Sequence, residues 1–162
     1  MRLPFLSRDY ALETLDPSHA DMLAELHRED FVRPWSAEEF ISLLSEGPVF
    51  GFAAREVGYP NQDIAGFVLA RQAAGEAEIL TVAVARTRRR EGLGWRLMDA
   101  VLRKLHADRA EALFLEVDET NLPAVGLYRR LGFHQVGKRP NYYESKGPHG
   151  RTNALVMRRD LR

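Results

Sequence analysis

Three arginines precede two closely spaced glycines in the segment RRREGLGWRL, residues 88–97, where a helix is predicted to begin. Guanidinium groups form paired hydrogen bonds with phosphate oxygens, and the free N–H groups of a helix N-terminus attract anions. These residue types at this spacing therefore indicate phosphate binding. The spacing leaves an alternative open, in which the arginines are a solvated charge run and the glycines only form a turn.

The glycine spacing excludes the two common nucleotide loops. A P-loop requires GxxxxGK[ST] and a dinucleotide site requires GxGxxG, whereas residues 89–94 read R-x-x-G-x-G. Nucleic-acid binding through the cluster Arg86 to Arg90 is a competing hypothesis. The sequence has 23 Lys and Arg against 23 Asp and Glu, so no overall field attracts the protein to nucleic acid. The sequence also lacks the pattern of stacking aromatics that binds bases.

One carboxylate, Glu116, interrupts the apolar run Leu113 to Val117. Apolar neighbours raise the pKa of a carboxyl group towards the range of a general base, and we expect that here. Strand alternation directs Glu116 away from the face of Leu115 and Val117, so a glutamate on the solvent side of a strand is the alternative.

Hydrophobic periodicity and turn signals predict the elements that position these residues. A strand over Tyr10 to Leu15 precedes a helix that is capped by Asp16 with Pro17 and runs to about Asp30. A capping box at Ser36 begins a second helix, which ends at Gly47-Pro48. Short turns then separate three strands of an antiparallel meander, over Val49 to Glu56, Ile64 to Gln72, and Ala77 to Ala85.

The second half of the chain predicts a crossover and a closing hairpin. An amphipathic helix from Gly92 to about His106 leads to a buried strand over Ala112 to Val117, parallel to the strand before the helix. Asn121 caps a short helix that Gly132 terminates. Late strands cover Phe133 to Val136 and Ala154 to Arg159, with KRPNYYESKGPHG as the loop between them. The fold class is α/β (α+β), a mixed sheet with helices on both faces.

Composition sets the broader expectations. At 162 residues, 45% apolar and 28% charged, the chain fits a single domain over residues 1–162. It has no cysteine, and its first 15 residues lack the continuous apolar core of a signal peptide. We expect a cytoplasmic protein without a membrane segment. His27, His134 and His149 are scattered through different elements, which predicts no metal site.

The R-x-x-G-x-G loop between a strand and a helix resembles the acetyl-CoA pyrophosphate loop of the GNAT N-acetyltransferases. The segment NLPAVGLYRRLGF, Asn121 to Phe133, resembles the second motif of that family. The resemblance implies a mostly antiparallel central sheet with a parallel pair at the cofactor site. It also implies an acetyl-CoA-dependent enzyme that transfers acetyl directly to an amine. The absence of cysteine, the usual thiol nucleophile, supports direct transfer rather than an acetyl-enzyme.

The resemblance also implies the roles of individual residues. Glu116 matches the proton acceptor and Tyr128 the acid that protonates the departing sulfur; the alternative for Tyr128 is a buried structural tyrosine. Asn121 would contact the pantetheine amide, although helix capping accounts for it equally well. Acceptor contacts are predicted for Trp35, Tyr142 and Tyr143, with packing as the alternative. Cofactor contacts are predicted for a strand that pairs with the pantetheine arm and for the pyrophosphate loop: Val82, Ala83, Val84, Arg89, Arg90, Glu91, Gly92, Leu93, Gly94 and Trp95.

Within the family, three short segments are most similar to the RimI-type enzymes, which acetylate the N-terminal alanine of a ribosomal protein. They are RPWS from Arg33, LEVDETN from Leu115 and RPNYY from Arg139. Two positions depart from that type: Asp118 stands where arginine is usual and Asn153 where an acidic residue is frequent. The acidic pair Asp118 and Glu119 either favours a cationic acceptor or forms a surface turn.

The acceptor predicted from this resemblance is therefore a protein N-terminus, possibly ribosomal. A small-molecule amine, such as an amino acid, a polyamine or an aminoglycoside, is the alternative. A non-catalytic acyl-CoA-binding module is a third hypothesis. The sequence leaves the oligomeric state open.

Overall fold

The structure is a computed structural model, and it describes residues 8–144 and 150–162. Its helices and strands follow one another along the chain in the predicted order. They are β1 Tyr10–Thr14, α1 Ala20–Asp30, α2 Ala37–Leu44, β2 Val49–Glu56, β3 Gly66–Ala73, β4 Glu76–Val84, α3 Leu93–Ala107, β5 Ala112–Asp118, α4 Leu122–Arg130, β6 His134–Glu144 and β7 Arg151–Asp160.

The helix termini follow the predicted local signals. Asp16 accepts a hydrogen bond from the Ser18 N–H at 2.8 Å and caps a 3₁₀ turn that leads into α1. Ser36 caps α2 by accepting the N–H of Glu39. Gly132, at φ +91°, ends α4 in the left-handed region that glycine adopts without strain. Each of these signals lies within a few residues of the helix end that it defines, so the helix ends can be predicted from the sequence.

The seven strands form one sheet in the order β1-β2-β3-β4-β5-β7-β6. Strands β4 and β5 run parallel and all other neighbours are antiparallel, which confirms the predicted fold class. Helices α1 and α2 pack on one face and α3 and α4 on the other. The buried residues of α3 recur every three or four positions, which gives the helix one apolar face: Leu93, Leu97, Met98, Val101, Leu102 and Leu105.

Strand β6 is longer than the sequence predicts. It continues from His134 to Glu144, so the first half of the predicted loop KRPNYYESKGPHG is strand; residues 145–149, including His149, lie outside the described residues. The register shifts between Arg139 and Tyr143, where three residues of β6 face a single residue of β7. Such a bulge accepts Pro140, which has no N–H to donate to a regular ladder. The polar, glycine-rich composition concealed this pairing.

Candidate active site

The site lies where β4 and β5 separate. The two strands pair only through Glu76–Glu78 and Ala112–Phe114, so residues 79–84 of β4 lack a partner in β5. A register shift in the β3–β4 pairing, at the residue between Ile79 and Thr81, accompanies the separation. A bulge of this kind increases the local twist of a strand and turns it away from its neighbour. The strand predicted to bind pantetheine, Val82, Ala83 and Val84, therefore has one edge free for a ligand backbone.

The loop between β4 and α3 leads to a helix N-terminus that no side chain caps. Gly92 precedes α3 at φ +77° and ψ +14°, and no side chain caps the helix there. A Cβ built on Gly92 meets no atom within 4 Å, so the space in front of the helix is open. Arg90 also has a positive φ, +64°. A helix N-terminus with open space and backbone donors fits a pyrophosphate group.

A hydrogen-bond network supports this loop from β1 and β2. The Tyr10 hydroxyl donates to Glu91 Oε2 at 2.9 Å and accepts from Arg88 at 3.2 Å, while Arg88 pairs with Glu56 at 2.8 Å. Arg8 also reaches Glu91, at 3.2 Å. The alternative in which Arg88 is only solvated charge does not hold, because its side chain is 17% exposed and ion-paired.

Arginines 86 and 89 connect the same loop to α1. Arg89 pairs with Asp30 at 2.5 Å, and Arg86 lies 3.5 Å from the same carboxylate. The Arg89 guanidinium is therefore directed to α1 in this structure, and its predicted phosphate contact stays a prediction. Two carboxylates, Asp30 and Glu56, partner three of the four arginines in the cluster Arg86 to Arg90. These ion pairs offset part of the positive charge of the cluster, which weakens the nucleic-acid hypothesis.

Glu116 faces the side of β5 opposite to the buried Leu115 and Val117, as strand alternation predicts. Its Oε1 forms an ion pair with Arg139 Nε at 2.9 Å, and its side chain is 26% exposed. The surroundings of this carboxylate are thus more polar than the apolar run of β5 indicates. Arg139 is not among the predicted site residues, although the same short segment, RPNYY, contains the predicted acceptor tyrosines.

Tyr128 is buried in α4, with its ring edge-to-face against Phe133 at 5.9 Å between centroids. Burial raises the pKa of Tyr128 to about 12, so the phenol is protonated at neutral pH. Its hydroxyl forms no hydrogen bond with any residue in the described ranges 8–144 and 150–162. A neutral phenol with an uncommitted O–H fits a proton donor.

Burial and the negative charges of Glu116 and Asp118 raise the pKa of Tyr143, and the Tyr142 and Tyr128 phenols act in the same direction. Tyr143 therefore lies within electrostatic range of both Glu116 and Tyr128. Tyr142 is about half exposed and packs edge-to-face on Tyr143, with 5.0 Å between ring centroids.

The acidic turn after β5 is internally satisfied. Asp118 accepts the Thr120 N–H at 2.9 Å and the Thr152 hydroxyl at 2.6 Å. Glu119 pairs with Lys138 at 3.1 Å and accepts an amide hydrogen of Asn153 at 2.8 Å. Of the two interpretations of this turn, these contacts favour the structural one.

Trp35 packs against the aromatic cluster of α1 and α2. Its ring stacks on His27 with 5.0 Å between centroids, and its backbone N–H donates to His27 Nδ1 at 3.0 Å. His27 Nε2 lies 3.1 Å from the Thr81 hydroxyl on β4. Packing is therefore seen for Trp35, whereas its acceptor contact stays a prediction.

The remaining predicted cofactor residues lie where α3 meets α4. Asn121 caps α4 by accepting the Ala124 N–H at 3.3 Å. A Cβ on Gly94 would come within 3.1 Å of the Leu127 side chain, so the side chain of Leu127 would have to shift to accept a larger residue at position 94. Leu93 is buried and offers only its backbone, whereas Trp95 is 45% exposed beside the loop.

Metal-ligand clusters and membrane-spanning helices are both absent from the described residues. Across residues 8–144 and 150–162, no three His, Cys, Asp or Glu side chains lie close enough together to hold a metal ion. In the same part of the chain, no helix has both the length and the apolar composition that crossing a bilayer requires.

The sequence is similar to those of known N-acetyltransferases. The model of the acetyltransferase (GNAT) family matches residues 20–133. The [ribosomal protein bS18]-alanine N-acetyltransferase of Escherichia coli K12 is 31% identical over 139 residues, which are 85% of this chain and 89% of the relative. The enzyme of that name from Haemophilus ducreyi is 29% identical over 90% of this chain and 97% of its own length.

Solved structures show the same fold. The ribosomal-protein-S18-alanine N-acetyltransferase of E. coli superposes with a TM-score of 0.85 at 25% identity, over 94% of both chains. Arabidopsis thaliana NAA60 in complex with a bisubstrate analogue superposes with a TM-score of 0.80 at 22% identity, over 94% of this chain and 98% of its own.

Proposed function

The chain belongs to the GNAT acetyltransferase family and is an N-acetyltransferase, and we propose that it transfers acetyl from acetyl-CoA to the N-terminal α-amine of a protein. Glu116 and Tyr128 carry this proposal, because Glu116 follows the point on β5 where pairing with β4 ends and Tyr128 is a buried neutral phenol. Tyr143 lies within electrostatic range of both. An N-terminal alanine of a ribosomal protein is the favoured acceptor, since the E. coli and H. ducreyi relatives are named for that substrate.

Acetyl-CoA supplies the acetyl thioester. The N–H groups at the start of α3 bind its pyrophosphate, and the free edge of β4 at residues 82–84 holds the pantetheine arm. The pyrophosphate site comprises loop residues and the first turn of α3: Arg90, Glu91, Gly92, Leu93, Gly94 and Trp95. The Tyr10 network holds the loop in place. Asn121 fixes the start of α4 and so the position of Tyr128.

Glu116 accepts a proton from the ammonium form of the acceptor. The neutral nitrogen then forms a bond to the acetyl carbon while the carbon–sulfur bond breaks. Tyr128 donates its proton to the departing sulfur, and the second proton lost by the nitrogen restores the phenol. The products are an amide and a free thiol, and Glu116 releases its proton to solvent. With no cysteine in the sequence, transfer is direct.

The deciding experiment compares acceptors with the purified protein. An alanine-starting peptide with an internal lysine should be acetylated at its α-amine, whereas the same peptide with a formylated N-terminus should not react. Higher kcat/KM on amino acids, polyamines or aminoglycosides would replace the peptide with a small amine. Acetyl label retained on the denatured protein without acceptor would refute direct transfer. We place the reaction in the cytoplasm.

A further inference from the structure

Arg139 already holds a cation at Glu116. Its Nε lies 2.9 Å from Glu116 Oε1 in an ion pair, and its guanidinium carbon lies 5.2 Å from the centroid of the Tyr142 ring. A carboxylate and an aromatic face together form a site for a small organic cation. The protein thus fills this site with one of its own side chains.

The acceptor amine brings the same kind of charge to the same carboxylate. A free α-amine has a pKa of about 7.7–8.0, so most acceptor molecules arrive as ammonium at neutral pH. If Glu116 takes the acceptor's proton, the ammonium must approach the carboxylate that Arg139 contacts. The acceptor ammonium and the Arg139 guanidinium are both positively charged, so they repel each other when both approach Glu116.

We propose that Arg139 is a specificity-determining residue that occupies the acceptor-ammonium position in the free enzyme, so that the acceptor must displace it. This inference rests on the proposed function, because it takes Glu116 as the group that receives the acceptor. It assigns to Arg139 a competitive role instead of a supporting one.

The contacts of Arg139 allow displacement. The side chain is 57% exposed, and one Nε–Oε1 contact joins it to Glu116 rather than a bidentate pair. Arg139 also stands where the β6–β7 register shifts.

Neighbouring carboxylates do not offer Arg139 an equivalent partner. Asp118 is bonded to Thr120 and Thr152, and Glu119 is paired with Lys138. The acceptor therefore competes against a single exposed ion pair. The selective effect is that a neutral molecule gains little at Glu116, whereas a cation can replace the guanidinium.

The test measures binding of an alanine-starting hexapeptide to the CoA-bound protein by calorimetry, together with KM and kcat. Arg139→Gln should lower Kd and KM for the peptide about three- to fivefold, the strength of an exposed ion pair, and leave kcat within about twofold. Arg139→Met keeps the aliphatic stem and should behave alike. Arg139→Lys retains the cation and should bind the peptide as the wild-type protein does.

Arg158→Gln is the matched control. Arg158 also pairs with a carboxylate, Asp160 at 2.7 Å, and lies over an aromatic ring, Phe114 at 5.1 Å, but it does not contact Glu116. Its replacement should leave Kd and KM for the peptide unchanged. In a Glu116→Gln background, Arg139→Gln should also have no effect on peptide binding, because the carboxylate for which the two cations compete is gone.

Two results would overturn the inference. Unchanged or weaker peptide binding by Arg139→Gln would show that the guanidinium does not compete. A fall in kcat with unchanged KM would show that Arg139 positions Glu116 instead. A wild-type protein that binds no peptide would refute the acceptor class itself; the ratio of variant to wild-type KM is then measured with the small amine that it acetylates.

Discussion

At the scale of single residues, the proposed site contains two candidate proton-transfer groups of different character. Glu116 is partly exposed and ion-paired, whereas Tyr128 is buried with a pKa of about 12. The carboxylate is therefore reachable by an acceptor from solvent. The phenol is protonated at neutral pH and can therefore donate a proton to a leaving group.

Replacing either group should impair turnover far more than cofactor binding. Glu116→Gln and Tyr128→Phe should each lower kcat by about 100- to 10,000-fold, the usual contribution of general acid–base catalysis. The Kd for CoA should change less than about threefold, because neither side chain is assigned to the pyrophosphate loop. Steady-state kinetics and calorimetry measure the two quantities.

Tyr59→Phe, which removes an exposed hydroxyl in the turn between β2 and β3, is the matched control and should retain full activity. Normal turnover by Tyr128→Phe would remove the phenol from the mechanism. It would leave Tyr128 as the buried structural tyrosine that the sequence kept as an alternative.

The family resemblance predicted Glu116, Tyr128 and Tyr143 as site residues, and Tyr143 lies within electrostatic range of the other two; their roles stay predictions. The sequence could not predict the partners of the charged groups. Arg88 and Arg89 are engaged by Glu56 and Asp30, which lie 32 and 59 positions away in sequence. Arg139 was missed for the same reason, since its contact with Glu116 depends on the pairing of β5, β7 and β6.

At the scale of elements, the start of α3 combines a left-handed residue with open space. Gly92 has φ +77°, and a side chain there would be strained and would enter the volume in front of the helix. An aspartate would add a negative charge where the pyrophosphate is proposed to bind.

Gly92→Asp should therefore raise the Kd for CoA by about two orders of magnitude, because like charges in contact cost several kcal/mol. Gly75→Asp is the matched control. Gly75 has φ +82° in the open turn between β3 and β4, at the opposite end of β4. Both variants should lose roughly 1–2 kcal/mol of stability through backbone strain, but only Gly92→Asp should lose CoA binding. Normal CoA affinity in Gly92→Asp would refute the loop assignment.

Element order and helix termini were predictable because capping residues, glycines and hydrophobic periodicity act within a few positions. The two irregular pairings were not. The bulge of β4 near Leu69 and the extension of β6 past Arg139 depend on partner strands that are distant in sequence. Both irregularities shape the site, since one opens the edge of β4 and the other carries Arg139 and Tyr142.

At the scale of the whole molecule, His27 joins the α1–α2 layer to the sheet. It is 1% exposed and bridges the Trp35 N–H to the Thr81 hydroxyl. Because Nδ1 accepts a hydrogen bond, the proton of the neutral ring is on Nε2 and is donated to Thr81. Burial lowers the pKa of His27 to about 4, although the charge of Asp30 opposes this shift.

This buried imidazole should make global stability depend on pH. The folded-state pKa of about 4 lies below the ordinary value of 6.5, so the unfolded chain binds the proton first. The His27 contribution is complete above pH 6.5 and is lost as the pH falls towards 4, at up to about 1.4 kcal/mol per pH unit. Denaturant unfolding at successive pH values measures it.

The comparison variant is His27→Gln, whose amide offers a donor and an acceptor but does not titrate. The difference in unfolding free energy between the wild-type protein and His27→Gln should shrink steadily from pH 6.5 to pH 4. A constant difference over that range would show that His27 does not titrate as its burial predicts.

The two tryptophans of the sequence, Trp35 and Trp95, lie on different parts of the site. Trp95 is in the first turn of α3 and is nearly half exposed, while Trp35 stacks on His27 beside the α1–α2 layer. The emission of the two indoles should differ, because Trp95 is nearly half exposed to water and Trp35 stacks on an aromatic ring. The protein therefore carries a separate intrinsic fluorophore near each proposed substrate position. Paired Trp→Phe variants would resolve the order in which the two substrates bind, in real time and without an added label.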